Sequence, residues 1–173
     1  MIPLFVCPPK GRRTADLCVV VPTFTYVIYA NQARAEFGPE WKARAAAWNA
    51  YPLNAAEHPQ FGLSSYNDHT DGSGICHTTW HRPIFNLRPG YHAFGDDASG
   101  SGLRHFPADT HLFAWLDAKE IPFDIVTDWE LHHEGKELLA GYTAVSTCSH
   151  PEYHTANTLD AIEAYIRSGI HKG

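Results

Sequence analysis

Residues 147–154, "TCSHPEYH", set two histidines around a glutamate, His150-x-Glu152-x-His154, where an apolar run hands over to a helical pattern. A carboxylate beside imidazoles can ligate a metal, act as a general base, or lay its charge on a helix start. His-x-Glu-x-His is not a standard zinc spacing. The histidines stand at i, i+4, as two ligands on one helix would, but Pro151 keeps a regular helix from starting at His150. Cys148 offers a second chemistry, a thiol nucleophile after a strand with His150 as its base. If the strand ran on, both side chains would share one face, too close for a nucleophile–base pair, and no glycine pair flanks Cys148. A buried structural cysteine is the plainer reading. Three tyrosines form the third group: Tyr26 and Tyr29 in "FTYVIYAN", and Tyr66 in "FGLSSYNDHTDGSG". A phenol ordinarily packs and hydrogen-bonds. As a phenolate it is a hard oxygen donor suited to ferric iron or another strong Lewis acid.

These residues need elements to position them. "LCVVV" (17–21) is β-branched and fit for a strand buried on both faces. "PEWKARAAAWNA" (39–50) predicts a helix with Pro39 near its start, and Trp41, Ala45 and Trp48 on one apolar stripe. No period survives over 57–110, which holds "DGSG", "RPG" and "GDDASGSG". Its aromatics (Tyr66, Trp80, Phe85, Tyr91, Phe94) predict an ordered, site-building loop. A helix is expected at 110–120, a strand at 123–128, helix over much of 129–140, a strand at 142–148 and a helix at 156–169. Asn157 or Thr158 should cap that last helix and Gly169 should end it. Such alternation predicts an α/β fold with a doubly wound, mostly parallel sheet. In such sheets ligands bind beyond the carboxyl ends of the strands. The loops "PTFTYVIYAN", "TDWELHH" and "CSHPEYH" leave those ends.

Composition narrows the function. A chain of 173 residues with 44% hydrophobic and 18% charged residues is long enough for one globular domain, read here as a lead-in at 1–16 and an α/β domain at 17–173. Net charge is -6 with no Lys/Arg run, which argues against nucleic acid or an anionic membrane as partner. The four cysteines have no C-x-x-C spacing, so free thiols in a reducing compartment are expected. "MIPLFVCPPKGRR" places its charges after a very short apolar run, the wrong order for a secretory signal, and residues 17–30 are broken by Pro22 and polar residues. A cytoplasmic location is expected. Seven of the twelve histidines fall between His58 and His111, so histidine chemistry would need the fold to converge them.

Five stretches in order, "VPTFTYVIYAN", "GLSSYNDHTDGSG", "RPIFNLRPGYHAF", "FDIVTDWELHHEG" and "SHPEYH", resemble the large subunit of N,N-dimethylformamidase and its relatives over residues 17–169. The resemblance implies a core like the class I glutamine amidotransferase fold and hydrolysis of N,N-dimethylformamide to dimethylamine and formate. It also implies a mononuclear iron held by two tyrosines and a glutamate. By motif these ligands fall on Tyr66, Glu152 and one of Tyr26 and Tyr29, with His150 orienting the carboxylate or the attacking water. Two features depart from the family. His154 stands where tryptophan is common, and a further strand carrying an asparagine and a glutamate with catalytic roles has no counterpart before Gly173. The resemblance therefore implies a sheet incomplete at the C-terminus. The chain would be part of a large subunit that works with its remainder, a small subunit or further copies, and it could be a docking domain without activity of its own.

Overall fold

A computed structural model describes residues 4–32, 39–51, 53–88, 90–91 and 105–170. In chain order they form β1 (Leu17–Val21), α1 (Thr23–Ile28), α2 (Pro39–Ala47), α3 (Phe106–Ala118), β2 (Phe123–Thr127), α4 (Asp128–Glu134), α5 (Lys136–Leu139), β3 (Ala144–Ser146) and α6 (Ala156–Ile170). Short 3-10 turns lie at Ala55–Glu57, Pro59–Phe61 and Phe85–Leu87. Phe94 and the "GDDASGSG" stretch lie outside the described residues. The chain divides into two compact units, one of Leu4–Thr25 with Leu112–Gly173, the other built on Tyr26–His111.

The first unit holds the sheet. Its three strands are parallel in the order β2-β1-β3, with Leu17 in register with both Phe123 and Ala144. β1 is central, and its run from Cys18 to Val21 is buried, as a parallel strand covered on both faces requires. Cys18 and Val20 point one way with Val126 and Val145, onto Leu131 and Leu139 of α4 and α5 and Ala161 and Ile162 of α6. On the opposite face Phe123 meets Phe113 of α3, ring centroids 6.2 Å apart. Helices thus cover both faces, and the α/β reading holds.

The ends of the elements explain where sequence reading slipped. α3 begins at Phe106 rather than near 110, because Pro107 sits in the first turn, where a missing N–H costs nothing. α4 starts on a capping box: Thr127 accepts from the first turn, and Glu130 reaches back to the Thr127 N–H at 3.1 Å. β3 is only three residues long, ending at Ser146, and Cys148 then takes a left-handed φ of 63°. α6 is capped by Thr155 rather than by Asn157 or Thr158. Thr155 Oγ1 accepts from the Thr158 N–H (3.2 Å), while Thr158 Oγ1 accepts from the Thr155 N–H (3.0 Å). Threonine here fills the place a glutamate takes in a usual capping box. Gly169 lies inside α6, which runs on to Ile170.

The second unit has a small core of Ala55, Phe85 and Tyr91, with Tyr51 and Phe61 against it. Trp80 and Tyr66 of the same long loop are exposed. α2 stops at Ala47 because Asn49 turns left-handed (φ 51°) and Ala50 N–H returns to Ala45 O at 2.7 Å. Trp48 therefore falls beyond the helix. It leaves the expected stripe and is exposed with the Arg44 guanidinium over its ring, while Ala45 is buried.

Candidate functional site

The progression of strands reverses at β1, so the crevice outside the carboxyl ends of β1 and β3 is where this sheet order favours a ligand. Thr25 of α1 is fully buried there, and its Oγ1 accepts the backbone N–H of Glu152 (3.1 Å) and of Tyr153 (3.2 Å). One hydroxyl therefore fixes the backbone that carries the candidate carboxylate. Glu152 Oε2 lies 2.8 Å from His150 Nε2, with the two side chains 41% and 39% exposed. The pair is a carboxylate with an imidazole in hydrogen-bond reach and open to solvent.

His154 takes no part in that pair. Its Nε2 is 3.2 Å from Pro151 O and its Nδ1 is 3.4 Å from Thr158 Oγ1. Residues 150–155 are non-helical, so the i, i+4 spacing of the histidines does not put them on one helix face. Among the described residues no three His, Cys, Asp or Glu side chains group as ligands of one ion. The geometry assumed for Cys148 and His150 is also absent: the strand ends before Cys148, and the left-handed turn there breaks the alternation that would have put both on one face. No disulfide joins any of the four cysteines, and burial in β1 pushes the Cys18 thiol up to about 12.

α1 is six residues long, too short to persist by itself. At its start, Asp128 accepts from Thr23 Oγ1 and from the Phe24 N–H, the latter at 2.9 Å, so a carboxylate stands on the positive end of the helix. Burial pushes the Asp128 carboxyl above its usual range, and the Thr23 and Phe24 hydrogen bonds together with the nearby His154 only partly oppose it. At its end, four successive carbonyls are taken by side chains of the long loop. Val27 O accepts from Thr78 Oγ1 (2.8 Å), Ile28 O from Ser65 Oγ (2.5 Å), Tyr29 O from Asn86 Nδ2 (2.6 Å) and Ala30 O from Arg82 Nη2 (3.3 Å). Val27 and Ile28 are the last residues of α1 and Tyr29 and Ala30 follow it; Val27 O and Tyr29 O accept in addition from the Ala30 and Gln32 N–H groups. The loop that lacks periodicity is thus built around the end of α1.

That arrangement sorts the tyrosines. Tyr26 is buried and its hydroxyl donates to the fully buried Asp109 carboxylate of α3. Tyr29 is buried too, and its ring stacks on Tyr66 at 4.4 Å between centroids and 16° between planes. His105 lies 4.1 Å from the Tyr29 ring. Tyr66 is 41% exposed, at the turn where Ser64 N–H meets Asn67 Oδ1 at 3.0 Å. Within this unit the structure brings Tyr29 and Tyr66 together and gives Tyr26 to Asp109. Asp109 was missed from the sequence. Pro107 and Asp109 mark a helix start, but no local signal ties that helix to a tyrosine 83 residues earlier.

A parallel sheet covered on both faces, with a histidine–carboxylate pair beyond its carboxyl edge, defines an α/β protein of the kind that binds small ligands there. The chain belongs to the family described as N,N-dimethylformamidase beta subunit-like, C-terminal, which matches it over residues 1–173. It is 38% identical over 173 residues to the N,N-dimethylformamidase beta subunit of Paracoccus aminophilus, covering 97% of this chain and 22% of that protein. The beta subunit of the same name from an Alcaligenes species matches with the same identity and coverage. The chain therefore spans about a fifth of the length of these curated relatives. Among the described residues no helix is long and apolar enough to cross a membrane.

Proposed function

We propose that this chain contributes the metal-bearing part of an amide hydrolase that cleaves N,N-dimethylformamide, or a similarly small N-substituted amide, to the amine and the acid. Family membership supports the reaction class, and the names of the relatives as subunits support work with other chains. The observation that carries the metal reading is the Tyr29–Tyr66 stack, two phenols at 4.4 Å whose donor type suits a hard, ferric ion. Tyr26 fits less well, since ionising it would set a phenolate against the buried carboxylate of Asp109. The reading takes Tyr29 and Tyr66 as phenolate donors and Glu152, from the matched motif, as the carboxylate donor. Iron, when bound, would supply a Lewis acid that polarises the amide carbonyl.

The chain's own residues have defined tasks. Glu152 is oriented by Thr25 through its backbone and by His150 through its carboxylate. His150, partly open to solvent and with Nε2 turned to the Glu152 carboxylate, can take the proton of the attacking water at Nδ1 and return it to the nitrogen as the C–N bond breaks. That matters because an unprotonated dialkylamide is a poor leaving group.

The test is optical and chemical together. Ferric-loaded protein should show a phenolate-to-iron band in the visible, lost in Tyr66→Phe and Tyr29→Phe and kept in Tyr26→Phe. Colourless iron-loaded protein, or Tyr66→Phe with unchanged bound iron, sinks the metal reading. Amide cleavage, measured as amine release in the presence of whatever chains complete the enzyme, should survive Cys148→Ala. Its loss in that variant with the fold intact would move the chemistry to the thiol.

A further inference from the structure

The alignment of the tyrosine pair depends on where its two backbones are held. Tyr66 is substantially exposed on a loop, and a ring stack is a soft contact that tolerates sliding. Ser65, the neighbour of Tyr66 in sequence, ties this loop to the end of α1 through Ile28 O, and a second, wider anchor does the same. The guanidinium of Arg82 does so at four points. Nη1 donates to Leu63 O at 2.6 Å, Nη2 to Ala30 O at 3.3 Å and to Thr78 Oγ1 at 3.1 Å, and Nε to Thr79 O at 3.1 Å. Leu63 lies three residues before Tyr66, and Ala30 directly follows Tyr29. A planar fork of fixed donors therefore spans the two backbones that carry the stacked rings, which a flexible ammonium cannot copy. The sequence makes room for it at Gly62. That residue has φ +92°, and a Cβ built on it would stand 2.6 Å from Arg82 Nη1. Glycine is thus required twice, by the backbone and by the guanidinium.

We propose that Arg82, seated against Gly62, is the positioning residue that sets the Tyr66 ring on the Tyr29 ring. The proposal rests on the tyrosine reading given above, and it does not touch substrate. It makes Arg82 and Gly62 a matched pair: changing either should loosen the same stack.

The decisive measurement needs no metal. In iron-free protein, the near-ultraviolet circular dichroism of wild type minus Tyr66→Phe isolates the signal that depends on the stacked ring. Arg82→Met, Arg82→Lys and Gly62→Ala should each lose most of that difference while far-ultraviolet dichroism stays native. In ferric-loaded protein the same variants should shift and weaken the phenolate-to-iron band. Retention of the full Tyr66-dependent signal in folded Arg82→Met overturns the proposal. Should Arg82→Met fail to fold, Gly62→Ala and Arg82→Lys decide it by the same readout. If wild type takes no iron but the iron-free signal falls as expected, the positioning role stands and the metal reading fails. An altered band with an unchanged iron-free signal would count against positioning and leave the metal reading in place.

Discussion

Two aspartates at either end of β2 have opposite fates, decided by the balance between burial and the donors each one meets. Burial would raise the Asp124 carboxyl, but Thr14 through hydroxyl and N–H, Tyr142 through its hydroxyl and Ala15 through its N–H outweigh it, and the group is held below its usual range. A depressed native pKa contributes stability above the unfolded carboxylate value of about 4, lost as pH falls through the native value. At Asp128 burial outweighs the Thr23 and Phe24 donors and the carboxyl is raised, so its contribution is complete below about 4 and is lost as pH climbs through its native value. Asp124→Asn should therefore cost about 1–3 kcal/mol at neutral pH and flatten the acid limb of stability, measured by urea unfolding from pH 3 to 7. An unchanged acid limb would contradict this assignment. At this scale, what the sequence made legible was local. His150 and Glu152 stand two residues apart and do meet. The partnership of Tyr26 with Asp109, and the choice of Tyr29 for Tyr66, are long-range events that no spacing encodes.

Elements were more legible than their ends. The β-branched run of β1 and the patterns of α3, β2 and α6 predicted type and order, because a buried face leaves a period in the sequence. Ends depend on single residues with unusual dihedrals. Asn49 and Glu120 both turn left-handed to close α2 and α3, and only asparagine is a common signal for that. The long loop was harder still, because its order comes from capping α1 rather than from a repeating apolar face. Asn86 is the strongest test of that view. It is buried, donates to Tyr29 O at 2.6 Å and accepts the Asn31 N–H at 3.2 Å, so its removal strands the Asn31 donor and takes one of two donors from Tyr29 O, which also accepts from the Gln32 N–H. Asn86→Ala should cost about 2–4 kcal/mol. Ser65→Ala, which frees one half-exposed bond to Ile28 O, should cost about 1 kcal/mol. Chemical denaturation of both variants gives the comparison, and equal costs would deny Asn86 its place as the main clasp.

The architecture of the molecule can be probed through its thiols, because three of the four cysteines sample its layers. Cys76 is exposed in the unit built on Tyr26–His111, where its Sγ sits 3.6 Å from Gly74 O. Cys7 is half-buried, its thiol raised first by burial and then by the neighbouring Glu130 carboxylate. Cys18 lies fully buried in the central strand, with its thiol pushed up to about 12. Reaction with an aromatic disulfide requires a thiolate and an approach path, and Cys18 has neither while the sheet is closed. At pH 8 Cys76 should therefore react first and Cys7 more slowly. Cys18 should wait for opening of β1 from β2 and β3, a global event for the unit whose core it occupies. Its labelling rate should then climb with urea in step with the unfolding of that sheet, while the rate at Cys76 barely changes. Peptide mapping after pulsed labelling separates the sites. Fast labelling of Cys18 in native buffer would mean that the central strand is not enclosed on both faces as described.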